Sequence, residues 1–177
     1  MAFQAVTRAR VLAAALALAL APPAGAQAQD KQPSTFGPVI GAALLCHDQI
    51  DNAYFYRYLS KSFGAPYKHE GGAYWFRTGE ATLWGKPVTE VMVGDDTSEL
   101  AFLAAVAEAP PDELEAAVRA ASGVAHFARD ASAYPLRVAQ PGGTIVYYNT
   151  KSKIYCARFK SLPQPMAQPL QDRNRYR

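Results

Sequence analysis

Residues 46–76, CHDQIDNAYFYRYLSKSFGAPYKHEGGAYWF, change from helical to strand periodicity within one stretch. Ile50, Tyr54 and Tyr58 recur every fourth position. One place over, Phe55, Leu59 and Phe63 widen the same apolar stripe, as expected for a helix with one buried face. Asp48 and Asp51 stand where acids cap and complement a helix N-terminus. Gly64 and Pro66 supply a stop. The spacing predicts a helix from Asp48 to Phe63. A polar turn, His69-Glu70-Gly71-Gly72, then leads into an aromatic strand.

Downstream, Ala73–Arg77, Ala81–Trp84 and Val88–Val93 are short, β-branched or aromatic, and separated by turn residues. This is the signature of an antiparallel meander. Glu99–Ala107 has alanines that favour a helix, but its place between a turn cluster and Pro110-Pro111 favours a strand. Pro111-Asp112-Glu113-Leu114 opens a second helix, with Leu114, Ala117, Val118 and Ala121 on one face. Strands are expected at Val124–Phe127, Leu136–Ala139, Thr144–Asn149 and Ile154–Lys160. The fold class is therefore α+β: a largely antiparallel sheet of about six to seven strands, two helices packed on one face, and one disulfide.

Upstream, Arg8 and Arg10 precede the apolar run Val11–Ala21, and Pro22-Pro23 with small residues follow. This predicts a signal peptide over residues 1–28, cleaved near Ala26 or Ala28, and a periplasmic or secreted protein. Residues 29–38 read as a flexible arm, 39–160 as a single domain and 161–177 as a disordered basic tail. Whether Val39–Leu45 is a strand or a helical turn is open on periodicity alone. After leader removal no segment is long and apolar enough to span a membrane.

The charge excess of +3 does not point to nucleic acid. Two of the eighteen basic residues, Arg8 and Arg10, fall in the leader, so sixteen remain against fifteen acids, and five of those sixteen cluster at the C-terminal end. The two cysteines, Cys46 and Cys156, are expected to form one disulfide in an oxidising compartment.

No motif reaches a reaction class. There is no nucleophile elbow, phosphate loop or dinucleotide fingerprint. The candidates for acid–base chemistry are His47 with Asp51, which would share a helix face, and His69 with Glu70. Capping accounts for Asp51, and an ordinary polar turn for His69-Glu70, without any function, and both readings are the favoured ones. The third histidine, His126, falls in an expected strand. No cofactor or metal is expected. The candidate binding residues are Tyr74, Trp75, Trp84 and Tyr148, because strands alternate faces and each aromatic run sends one ring away from the helices. The reading is an exported binding or interaction protein, an inhibitor or accessory factor acting on an envelope protein or cell-wall ligand. The alternatives are a small periplasmic hydrolase using a His/acid site and a structural envelope component.

Overall fold

The computed structural model describes residues 32–160. The segments expected as leader, start of the arm and C-terminal tail lie outside the described residues. A π-helical turn, Gly37–Gly41, runs into α1 (Ala42–Leu44), and α2 (Asn52–Phe63) follows. Next come β1 (Lys68–Glu70), β2 (Ala73–Arg77), β3 (Thr82–Leu83), β4 (Lys86–Gly94) and β5 (Leu100–Ala107). After α3 (Pro111–Ser122) come β6 (Phe127–Ala128), β7 (Arg137–Val138), β8 (Thr144–Tyr148) and β9 (Lys151–Phe159).

The nine strands form an antiparallel sheet in the order β1-β2-β4-β5-β9-β8-β7-β6, with β3 paired to β4. The α+β class is as expected. The count is not: nine strands replace six to seven. β1 is a strand where a polar turn was expected, and β3, β6 and β7 overlap the strands expected at Ala81–Trp84, Val124–Phe127 and Leu136–Ala139 but pair over only two residues each. Three helices replace two.

One cross-strand row defines the core: Phe76 opposite Val91, then Ala105, Ile154 and Ile145. All five are buried on the helix-covered side. The helices divide this side. α2 packs on β2, β4 and β5, α1 on β5 and β9, and α3 on β8 and β9. Alanine at position 105 leaves room for them to approach.

Helix ends follow local chemistry. α2 begins at Asn52, four residues after its start expected at Asp48, and the cap is Asp51, whose carboxylate accepts Tyr54 N–H at 2.9 Å. Asp48 lies exposed in the preceding loop. The helix stops at Gly64 (φ 86°). Pro110 caps α3, which Gly123 ends in the left-handed region.

The arm ends earlier than the sequence suggested. Phe36 is fully buried, edge-on to Phe63 with ring centroids 5.4 Å apart. Burying that ring gives the start of the chain an anchor. Val39–Leu45 resolves as helical, and its small residues let Trp84 approach: a Cβ on Gly41 would lie 3.5 Å from the indole.

Three two-residue turns with positive φ at both positions join β1–β2 (Gly71-Gly72), β3–β4 (Trp84-Gly85) and β8–β9 (Asn149-Thr150). Such turns match strand twist. The tight last turn lets β9 begin at Lys151 rather than at Ile154. Cys46 and Cys156 form the expected disulfide, with Cα atoms 5.4 Å apart. It ties the end of α1 to the middle of β9, where Cys156 pairs with Leu103 of β5.

Candidate functional site

The acid–base candidates do not assemble as paired in the sequence. His47 is exposed after α1, in a segment that is not helical, so it and Asp51 share no helix face. Asp51 is engaged as the α2 cap. His69 and Glu70 lie not in a turn but in the edge strand β1, because the two glycines alone make the reversal. Glu70 pairs with Lys68.

His69 instead meets Asp95, in the loop after β4, with Nε2 2.6 Å from Oδ2. Its ring stacks on Tyr74 at 4.3 Å. The other Asp95 oxygen accepts the Thr97 hydroxyl at 2.6 Å and the Thr97 N–H at 3.0 Å. These Thr97 bonds first, and His69 second, hold the Asp95 carboxyl down to about 2. The hydroxyl therefore bonds the carboxylate and not the imidazole, which is the wrong order for activating a nucleophile. His126 lies apart, buried just before β6, with its backbone N–H directed at Glu115 Oε1 at 3.3 Å. Burial lowers its pKa. Among the described residues no three His, Cys, Asp or Glu side chains converge as metal ligands.

The sheet face away from the helices is built differently. Two cross-strand rows run across it: Trp75, Met92, Ala104, Tyr155 and Thr144, and beside them Arg77, Glu90, Val106, Lys153 and Val146. Ala73, Met92, Ala104 and Val106 form a second apolar cluster, packed by Trp75, Phe102, Tyr148 and Tyr155, with no helix residue in it. Among the described residues, aromatic side chains packed over Ala73, Met92, Ala104 and Val106 line this face without a covering helix.

Cations lie on the rings. The Lys153 ammonium is 4.2 Å from the Tyr148 ring centroid and 5.4 Å from that of Trp75, and Lys68 approaches Trp75 at 4.8 Å. Lys153 has no carboxylate partner among the described residues. Burial lowers its pKa. Arg77 lies over the Tyr67 ring at 4.5 Å. The Tyr67 hydroxyl donates to Glu90. Its pKa is pushed up to about 12, by burial first and by that carboxylate second. A groove of about 570 Å³ opens alongside, lined by Arg77, Glu90, Val106, Tyr148 and Lys151 among others.

The four aromatic candidates separate. Trp75 and Tyr148 belong to the open face. Tyr74 points to the helix side, against Tyr56 at 4.8 Å and His69. Trp84 occupies a turn at φ 51° and packs on Gly41. Sequence reasoning passed over Lys153, Arg77, Tyr67 and Glu90. A signal existed for Lys153: once Cys156 must face inward to reach Cys46, alternation sends Lys153 and Tyr155 outward.

Comparison of the chain with protein-family models, with curated proteins and with solved structures finds no match in any of the three.

Proposed function

We propose that this chain is a small exported binding protein, periplasmic or secreted, that engages an envelope protein or cell-wall ligand through its open sheet face. The observation that supports this reading is the meeting of Trp75, Tyr148 and the carboxylate-free Lys153 on a face that no described helix covers. Aromatic rings flanked by cations supply rigid contact area together with orienting charge, the composition enriched at recognition surfaces. The leader-like segment and the disulfide support export.

The test is capture from envelope extract by the processed protein, by Trp75→Ala and by Tyr54→Ala. Tyr54 is exposed on α2, away from the proposed face. A partner retained by wild type and by Tyr54→Ala but lost with Trp75→Ala is the expected result. Equal capture by all three would remove the open face from the proposal. N-terminal sequencing of the exported protein should begin at Gln27 or Gln29.

The hydrolase alternative draws on the His69–Asp95 contact. It predicts hydrolytic turnover that His69→Ala abolishes, in a protein whose binding is indifferent to Trp75.

A further inference from the structure

We infer that the groove at the lower end of the open face takes a small organic carboxylate, its anionic group on Arg77 and its ring or apolar body on Val106 and Tyr148. The inference rests on the binding reading above and specifies its ligand chemistry.

Three features converge. The first is size: about 570 Å³ falls within the range of small-molecule sites, roughly 300–1,000 Å³. The second is charge. Lys151 is neutralised by Glu108. Glu90 accepts the Tyr67 hydroxyl and stands between Arg77 and Lys153 in one cross-strand row. Among the described residues, Arg77, Lys151 and Lys153 thus have two carboxylates beside them, Glu90 and Glu108, leaving one positive charge in excess. The third is the state of the Arg77 fork. The guanidinium carbon lies 4.5 Å from the Tyr67 ring centroid and, among the described residues, the group has no salt-bridge partner. A planar, pre-oriented guanidinium with unused N–H donors is suited to bidentate capture of a carboxylate. Beside it, Val106 provides a buried apolar floor and Tyr148 a ring held in place by Lys153. A ligand carrying one negative charge next to a flat body would balance the charge and cover both surfaces. A neutral ligand would leave the fork unpaired, and a dianion would meet Glu90.

The probe is benzoate, with uncharged benzamide as its isosteric control, followed by amide chemical shifts of the uniformly labelled full-length processed protein. Benzoate should give saturable shifts centred on Arg77, Val106, Tyr148 and Asn149, with affinity at least about tenfold above benzamide. The preference should shrink at about 0.5 M salt, where charges are screened beyond about 4 Å. Arg77→Gln should abolish the preference while the rest of its spectrum overlays that of wild type. Lys61→Gln, an exposed cation on α2, should leave the preference intact. Equal affinity for benzoate and benzamide would overturn the inference while leaving the open face as a binding surface. Absence of local saturable shifts, or a preference that survives Arg77→Gln, would overturn it as well. Loss of the Trp75 dependence in envelope capture would instead strike at the binding reading itself, so the two failures are distinguishable.

Discussion

His126 is a buried histidine, 5 % accessible, and neither ring nitrogen has a hydrogen-bond partner among the described residues. Burial depresses its pKa below the ordinary imidazole value, against the opposing pull of Glu115. The unfolded chain therefore binds a proton at this site at a higher pH than the folded one. Its contribution is constant above a pH of about 6.5 and becomes destabilising as pH falls below that value. The urea midpoint of wild type should fall from pH 7.5 to pH 5.5, and the fall should be smaller for His126→Leu. The neighbouring Gly143 has no freedom to gain a side chain: a Cβ there would lie 2.9 Å from the Leu44 carbonyl oxygen and 3.4 Å from His126 Nε2. Because the first obstacle is backbone, Gly143→Ala should cost about 1–3 kcal/mol in chemical denaturation. Neither role was legible in the sequence, where His126 is a lone histidine in an expected strand and Gly143 one of a turn pair. What fixes them is the packing of the end of α1 against residues 126 and 143, far away along the chain.

At the scale of the element, α2 separates two readings of its own start. The sequence offered Asp48 and Asp51, and periodicity put the first turn at Asp48. The structure uses Asp51. Asp51→Ala should therefore lower stability by about 1 kcal/mol, and Asp48→Ala should leave the unfolding midpoint within error. The next residue, Asn52, does a longer-range job. It is buried, accepts Phe102 N–H at 2.9 Å through Oδ1, and donates to Asp96 Oδ1 at 2.9 Å. It latches the first turn of α2 to the start of β5, and Gly94 is required there: a Cβ would sit 2.6 Å from the Asn52 amide. Asn52→Ala leaves a buried N–H unpaired, so a loss of about 1–3 kcal/mol is expected in the same assay. The existence of α2 and α3 was legible, since each has length and a one-sided apolar pattern; β5 was read as a strand only from its place between a turn cluster and Pro110-Pro111, because most of it is buried on both faces. β1 was not legible, because its three residues pair only where β2 presents its edge, whereas β3, β6 and β7 were expected as longer strands and pair over two residues each.

Across the whole molecule, the chain leaves β5 through α3 for the far edge of the sheet and returns strand by strand until β9 closes beside β5. The Cys46–Cys156 link spans 110 residues of this path. In the chain-entropy account it restricts the unfolded state by roughly 4–5 kcal/mol. The double variant Cys46→Ala/Cys156→Ala should thus unfold at a markedly lower urea midpoint. Thiol titration of the unfolded, unreduced protein should find no free thiol.

By itself the sequence determined the two long helices, the cysteine pairing and the α+β class, because periodicity, turn residues and an even cysteine count act over short range or by elimination; the expected meander did not form, since β2 pairs directly with β4 and β3 lies off that path. The tertiary structure alone decided which aromatics stay open and which cations meet them. Trp75 and Lys153 lie on strands with β4 and β5 between them. Their meeting depends on strand order and register, which alternation along any one strand does not encode. The same holds for His69 and Asp95. Each was visible as a polar residue near a turn, but only the folding of β1 and β2 beside β4 put one within 2.6 Å of the other.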